Sequence, residues 1–369
     1  MPLGPLWNPW LWPLAAATRV GEAVVRSWAQ VSPSSGPAPP ENAGPIWTTD
    51  HSVALDLTSL RLLDFSTVQR GLPTIVVAPF AVHDATIADF APGHSLVERL
   101  LVEGIRRLLL IECKSAMSET RFLVIDNYLA DLLVAVEELG GRANLVGLCQ
   151  GGWLSAMFAA RFPGKVAKLV LAASPIDLES AGSAIVDAAR LTSADVFRAL
   201  VGSSGGRMLG CNMRASWDMQ DPDDALLGSI LQVDDDRPEV FERFRDWDRR
   251  TVDLPGAYYL QVVEQLFHRN ELARGEFMGL GRKLDLKAIR SPFFLLAAPD
   301  DDVTPAEQAL AVRDLVGAEP GRVRSMIATA PGGHLSLFMG ARTLAREWSA
   351  IARWLRSRAA GSSPGRAAE

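Results

Sequence analysis

Residues 144–153 read NLVGLCQGGW and contain a glycine–x–cysteine–x–glycine box centred on Cys149. A strand pattern precedes the box and a helical pattern follows it, which predicts a sharp strand-to-helix turn. Such a turn strains the backbone of its central residue, and Gly147 and Gly151 leave room where a Cβ atom would collide. The first N–H groups of the following helix favour a thiolate over a thiol. We therefore interpret Cys149 as a nucleophile rather than as a buried core cysteine.

From residue 52 onward, short apolar runs alternate with segments of helical period, the pattern of a mostly parallel sheet covered by helices. An antiparallel pair begins the sheet. The predicted strands are 53–57, 61–65, 74–78, 107–111, 144–148, 168–172, 293–298 and 323–327, and the clearest predicted helices are 95–103, 123–139, 152–162, 306–315 and 341–358. Together with the elbow at Cys149, this order predicts an α/β-hydrolase fold.

The alternation stops between residues 178 and 286, a charged and aromatic stretch that we predict to be a largely helical cap insertion over the site. The insertion divides the core into residues 47–177 and 287–358. Residues 1–46 form a Trp/Pro-rich segment ending in a linker, and residues 359–369 a flexible tail. Prolines interrupt the N-terminal apolar run, so neither a signal peptide nor a transmembrane segment is predicted.

The base and the acid follow the nucleophile in the chain order of this fold. Asp301 comes after the strand at 293–298 and is our choice for the acid, with Asp302 in reserve. Asp177 occupies the alternative acid position of the fold, and we give it a structural role. His334 follows the last strand and is the predicted base, since a thiol needs an imidazole that a carboxylate orients.

An acyl intermediate needs two donors for its oxyanion. The backbone N–H of Gln150, directly after the nucleophile, is the predicted first donor. The second is expected in the loop after strand 74–78, where Ala81 is our choice. The other two cysteines, Cys113 and Cys211, lack the box and are expected in the core. No metal-ligand cluster or phosphate-binding glycine loop is evident, so neither a metal nor a cofactor is predicted.

The composition excludes other classes of protein. The 369 residues are 48% hydrophobic and 22% charged, which is typical of a folded chain. Lys and Arg total 37 against 43 Asp and Glu, giving a net charge of −6, so no basic excess favours nucleic acid. Three cysteines are too few for a disulfide framework and suit a reducing compartment, which predicts a cytoplasmic protein.

The motifs together resemble the polyhydroxyalkanoate synthases, particularly the short catalytic subunits that work with a second subunit. The resemblance extends from about residue 70 to residue 357. It includes the box at 147–152, SPID at 174–177, NELARGEF at 270–277 and the Gly-Gly-His run at 332–334.

This resemblance implies that Cys149 carries the growing acyl chain as a thioester, that His334 deprotonates the thiol or the incoming hydroxyl, and that Asp301 orients or assists His334. The implied reactants are an (R)-3-hydroxyacyl-coenzyme A and a polyester chain, so coenzyme A enters as part of a substrate. The resemblance also implies a second synthase subunit, a homodimer and the surface of polymer granules as partners.

Two departures from the family pattern leave other functions open. The family usually has His after the catalytic Asp, where this chain has Asp302, and it usually has a Trp-containing loop where residues 112–117 read ECKSAM. A cysteine hydrolase on the same fold, a polyhydroxyalkanoate depolymerase, esterase or thioesterase, is the alternative. A non-catalytic granule-associated protein is disfavoured because Cys149, Asp301 and His334 are all present.

Overall fold

The computed structural model describes residues 44–215, 222–234, 237–316 and 325–357. Within them, one sheet contains the strands β1 (Ser52–Asp56), β2 (Leu60–Asp64), β3 (Thr74–Val77), β4 (Leu108–Cys113), β5 (Ala143–Leu148), β6 (Val166–Ala172), β7 (Phe293–Ala297) and β8 (Ser325–Thr329). Their order in space is β1-β2-β4-β3-β5-β6-β7-β8. Strand β2 is antiparallel to both of its neighbours, and the pairs from β4 to β8 are parallel. The predicted α/β sheet is confirmed, with strand ends displaced by one or two residues.

The central strands are apolar throughout because both of their faces are covered. Every residue of β5 is buried. Leu145 packs into the apolar cluster on one face of the sheet, and Val146 packs into the cluster on the other. Since side chains alternate along a strand, a strand buried on both faces needs apolar residues at every position.

Helices α1 (Leu96–Val102), α2 (Ile125–Glu138) and α3 (Gln150–Arg161) follow β3, β4 and β5, with a short 3₁₀ turn at Ala85–Ala88. The buried residues of α2 are spaced three or four apart: Ile125, Tyr128, Leu129, Leu132, Ala135 and Val136. This spacing gives the helix one apolar stripe that faces the sheet. Each crossover therefore returns the chain to the same edge of the sheet for the next parallel strand.

The insertion between β6 and β7 is largely helical, as predicted. Its helices are α4 (Ala184–Leu191), α5 (Ala194–Ser203), α6 (Gly210–Ala215), α7 (Asp224–Leu231), α8 (Pro238–Arg249) and α9 (Gly256–Gln261), the last continued by a π-helix at Val262–His268. Two short ribbons pair Arg207–Met208 with Leu254–Pro255 and Met278–Gly279 with Arg282–Lys283, and a 3₁₀ turn lies at Leu286–Ala288.

The C-terminal helical segments are more divided than predicted. The stretch after β7 forms α10 (Ala306–Leu310) and α11 (Val312–Leu315), and α12 (Ser336–Met339) follows β8. The predicted helix 341–358 consists of α13 (Ala341–Thr343), a π-helix at Leu344–Trp348 and α14 (Ser349–Arg356). Within this stretch the buried Trp348 donates its Nε1–H to the carbonyl oxygen of Leu337, at 2.7 Å. A tertiary contact of this kind has no signature in the helical period of the sequence.

The predicted Trp/Pro-rich segment through residue 43 and the predicted tail at 359–369 lie outside the described residues, and both stay predictions. Among the residues that are described, no helix is both long and apolar enough to cross a membrane. No group of three His, Cys, Asp or Glu side chains in that part of the chain is placed to hold a metal ion.

Candidate active site

Cys149 occupies the turn between β5 and α3, with a φ of 47° and a ψ of −116°. Positive φ is uncommon for a residue with a side chain, and such strain persists where the surrounding structure fixes it. The Cys149 N–H donates to the carbonyl oxygen of Ala172 at 2.8 Å, which holds the turn against β6. The structure thus has the sharp strand-to-helix turn that the box predicts.

Two glycines permit this turn because backbone atoms approach them closely. A Cβ atom built on Gly147 would lie 2.5 Å from the Cα atom of Gly152, and one on Gly151 would lie 2.0 Å from the carbonyl oxygen of Val77. Both distances are far below a van der Waals contact, and backbone cannot move aside as a flexible side chain can. The glycines of the box are therefore required by packing around the nucleophile.

We expect Gly151→Ala to reduce the free energy of unfolding by about 3 kcal/mol, the upper part of the usual range for overpacking, because the new methyl group meets Val77. Gly164→Ala is the matched control, since its Cβ would have nothing within 4 Å. Thermal and denaturant unfolding of the two variants measure the difference. Equal stability of both variants would contradict the close packing described here.

His334 and Asp301 are brought together at the carboxyl edge of the sheet. His334 follows β8 and Asp301 follows β7, and the His334 Nδ1 atom lies 2.8 Å from the Asp301 Oδ2 atom. The other carboxylate oxygen accepts the backbone N–H groups of Val303, at 3.0 Å, and Thr304, at 2.8 Å. Asp301 is 4% exposed and His334 is 6% exposed. The loop therefore fixes the carboxylate, and the carboxylate orients the imidazole.

The Cys149 side chain lines the same cavity as His334 and acts on the imidazole electrostatically. Because Asp301 binds Nδ1, the ring nitrogen left for the sulfur is Nε2. Burial acts to lower the pKa of His334, but the charges and hydrogen bonds of Asp301 and Cys149 outweigh burial and raise this pKa well above its usual value. The raised pKa makes His334 a stronger proton acceptor beside the Cys149 side chain.

The other candidate carboxylates have different surroundings. Asp302 is exposed although it is adjacent to Asp301 in the chain. The Asp177 Oδ1 atom accepts the Nδ2–H of Asn270 at 2.7 Å and the backbone N–H of Glu179 at 3.0 Å. Asp177 therefore stabilises the loop at the end of β6, as the structural role given to it requires.

The two predicted oxyanion donors line the same cavity as Cys149. Gln150 is the first residue of α3, so its backbone N–H has no acceptor within the helix. Ala81 lies in the loop after β3, and β3 pairs with β5, the strand that leads to Cys149. The structure places both residues beside the nucleophile, and their role in catalysis stays a prediction.

The remaining cysteines differ from Cys149 and from each other. Cys113, at the end of β4, packs against the core, and burial together with the charges of Glu112 and Asp131 raises the pKa of its thiol. Cys211 is exposed on the short helix α6. The prediction that Cys211 lies in the core is wrong, because this helix belongs to the cap and turns that residue outward.

A cavity of about 1180 Å³, counting its mouth, extends from Cys149 and His334 into the cap. Its walls are mainly apolar side chains of the insertion, including Ile185, Phe197, Tyr259, Val263 and Phe267. A concave, mainly apolar site with few polar groups suits a ligand with an apolar body, such as an acyl chain.

Sequence reasoning missed several residues of this wall. Gln308, on α10, is fully buried in it, and Trp247, on α8, contributes its indole. The indole stacks on His83, with 4.1 Å between the ring centroids, and His83 also lines the cavity. No local pattern marks Gln308, because the packing of α10 after the Asp301 loop decides which side of that helix meets the cavity.

Curated relatives of the chain are polymerase subunits. The poly(3-hydroxyalkanoate) polymerase subunit PhaC of Haloferax mediterranei is 24% identical over 327 residues, covering 85% of this chain and 65% of that protein. The subunit of the same name from Synechocystis sp. is 27% identical over 305 residues, covering 79% and 80%. The chain thus spans slightly less than two thirds of the Haloferax protein. The predicted resemblance to the polyhydroxyalkanoate synthases is confirmed.

Solved structures confirm the fold class. A bacterial membrane phospholipase A matches with a TM-score of 0.51 and 16% identity, covering 94% of each chain. A monoacylglycerol lipase from Paleococcus ferrophilus also matches with a TM-score of 0.51 and 16% identity, covering 81% of this chain and 98% of the lipase. At this level of identity the matches establish a shared α/β-hydrolase fold.

A match to a protein-family model shows to which family the chain belongs. It matches residues 63–358, from β2 to the end of α14, and therefore includes the elbow, the acid loop and the histidine loop. Because this range is most of the chain, the protein belongs to the family described as "Protein of unknown function (DUF3141)".

Proposed function

We propose that the protein is a cytoplasmic acyltransferase that polymerises (R)-3-hydroxyacyl-coenzyme A into polyester through a thioester on Cys149. The observation that carries the proposal is a cysteine at a nucleophile elbow that shares an apolar cavity with a buried histidine, which a carboxylate orients. The similarity of the chain to poly(3-hydroxyalkanoate) polymerase subunits supports it.

In the acylation step, His334 accepts the thiol proton and the Cys149 sulfur attacks the thioester carbonyl carbon. A bond forms between the Cys149 sulfur and that carbon, the bond to the coenzyme A sulfur breaks, and the leaving thiolate takes the proton from His334. The backbone N–H groups of Gln150 and Ala81 stabilise the oxyanion that forms between these events.

In the transfer step, the oxygen of an incoming hydroxyl group attacks the acyl carbon on Cys149 while His334 accepts the hydroxyl proton. The bond between that carbon and the Cys149 sulfur breaks, and the sulfur takes the proton back from His334. The choice of sulfur favours synthesis. Transfer from coenzyme A to cysteine exchanges one thioester for another, so the driving force for forming an ester remains available. A serine nucleophile would release that driving force in the first step.

The proposed partners follow from the same reaction. Coenzyme A enters as part of the substrate, and no resident cofactor takes part. The word "subunit" in the relatives' names supports a second synthase subunit as a partner. We also propose a second copy of the chain and the surface of a polymer granule as partners.

The product made from (R)-3-hydroxybutyryl-coenzyme A tests the proposal. We expect the purified protein, alone or with the second synthase subunit, to release coenzyme A and to form an ester-linked polymer. Coenzyme A release measures turnover, and chromatography of the product separates polymer from free acid. Free 3-hydroxybutyrate as the product would identify a thioesterase instead, and no release of coenzyme A under either condition would contradict both a polymerase and a thioesterase.

A further inference from the structure

Gln308 is a buried polar residue in the wall of the acyl cavity. It is 0% exposed and shares that wall with Cys149 and His334. Its Nε2 atom donates to the backbone carbonyl oxygen of Ala181 at 2.7 Å. Because a carbonyl oxygen only accepts, the NH₂ group must face Ala181, and this contact fixes which end of the amide is the oxygen.

The amide oxygen of Gln308 has no donor. Its Oε1 atom is buried and has no hydrogen-bond partner in the described part of the chain. Buried acceptors are normally paired, so an unpaired one on a residue of the cavity wall is a candidate to accept a hydrogen bond from a bound molecule. The backbone of Gln308 is also held, since its carbonyl oxygen accepts the N–H groups of Ile176 and Asp177, each at 3.3 Å. The acceptor is therefore preorganised.

Three further side chains of the cavity wall carry an unpartnered polar atom. The Gln150 amide has no contact that fixes its orientation. The His83 Nε2 atom lies 3.5 Å from the Asp248 carboxylate, so a charged group already faces it. The Trp247 Nε1–H group is a donor rather than an acceptor. Of these four side chains, Gln308 is thus the one that presents an acceptor with a fixed orientation and a fixed position.

We propose that Gln308 is a specificity-determining residue whose Oε1 atom accepts a hydrogen bond from the hydroxyl group of the hydroxyacyl substrate. This inference rests on the proposed function, because it concerns the acyl group that Cys149 receives. A hydroxyacyl group carries a hydroxyl donor on an otherwise apolar body, and Gln308 supplies a fixed acceptor in a mainly apolar wall. A site built to bind a hydroxyl group disfavours an analogue without it, since the buried acceptor is then left unpaired.

The test compares single-turnover release of coenzyme A from (R)-3-hydroxybutyryl-coenzyme A and from butyryl-coenzyme A. We expect the parent protein to prefer the hydroxyacyl thioester by about tenfold or more. Gln308→Met keeps the length of the side chain but removes the acceptor, so the preference should fall by about tenfold. The ratio of the two rates does not depend on the fraction of protein that is active.

Gln265→Met is the matched control. The Gln265 Oε1 atom is also buried and unpartnered, but this residue is outside the cavity wall, so the parent ratio should persist. Gln308→Asn is the second variant if Gln308→Met does not fold, because it keeps an amide while withdrawing the acceptor by one methylene. We expect Gln308→Asn to reduce the preference for the hydroxyacyl thioester by about tenfold as well.

The outcomes separate this inference from the function on which it rests. A parent protein that releases coenzyme A from both thioesters at equal rates overturns the role of Gln308 and leaves the acyltransferase intact. If Gln308→Met or Gln308→Asn keeps the parent ratio of the two rates, the role of Gln308 is also overturned and the acyltransferase is also left intact. If the parent releases coenzyme A from neither thioester, the proposed function fails and this inference fails with it.

Discussion

Cys149→Ala is expected to reduce the release of coenzyme A from 3-hydroxybutyryl-coenzyme A by about 10⁴-fold or more. The reason is that Cys149 supplies the thiol that lines the cavity together with His334. Without it, water or the chain hydroxyl must attack the free thioester directly. Circular dichroism and thermal unfolding should show a folded variant, since the substitution removes one atom at a half-buried site.

The matched control for this prediction is Cys211→Ala. Cys211 is a free cysteine exposed on α6. Its replacement should leave the rate within about twofold of the parent, as is usual for a surface change away from the site. A Cys149→Ala variant that turns over at the rate of Cys211→Ala would remove the nucleophile assignment.

Asp301→Asn is expected to reduce the same rate by about 10³- to 10⁴-fold. The carboxylate accepts the proton on His334 Nδ1, whereas an amide NH₂ group in that position favours the opposite tautomer, with its proton facing the sulfur. The substitution also removes the charge that raises the pKa of His334. We therefore expect the protonated imidazole of the variant to lose its proton at a lower pH than in the parent.

The raised pKa of His334 also predicts how the stability of the folded protein changes with pH, which gives a second measurement on the Asp301→Asn variant. Because the pKa of His334 is raised in the folded protein, His334 stabilises the fold below its unfolded pKa, and this contribution disappears as the pH rises through the folded value. Urea unfolding of the parent at increasing pH should show that loss. The Asp301→Asn variant should lose less unfolding free energy over the same pH range, because the charge that raises the pKa of His334 is absent.

Asp302→Asn is the control for Asp301→Asn, because it makes the same chemical change one residue along the loop. Asp302 is exposed, so its charge is solvated rather than held beside the base. We expect turnover within about twofold of the parent. An equal loss in the two variants would show that the negative charge of the loop, rather than the contact between Asp301 and His334, supports the reaction.

Much of this site is predictable because its residues lie where the sheet requires them. The apolar runs of β5 and β7 indicate buried strands of one mostly parallel sheet, and β8 pairs in parallel with β7, so the loops after all three strands meet at one edge. The choice of Asp301 over Asp302 depends on chain order and loop position, and the structure pairs Asp301 with His334. The glycines of the box indicate the turn because few other residues fit it.

The cavity wall is not predictable in the same way. Which side chains of the insertion face the cavity depends on how its helices pack, and helical period alone does not order one helix against another. Gln308 is buried beside the site, whereas Cys211, expected in the core, is exposed. The division of the stretch 341–358 is likewise not predictable, since the helical period of the sequence does not mark where an α-helix changes into a π-helix.

The most direct test of the central claim is the mass of the peptide containing Cys149 after a rapid acid quench of the reaction with 3-hydroxybutyryl-coenzyme A. The account predicts a hydroxybutyryl group on the Cys149 sulfur that neutral hydroxylamine removes, as expected for a thioester. An acyl group attached to a different side chain, with Cys149 unmodified, would contradict it.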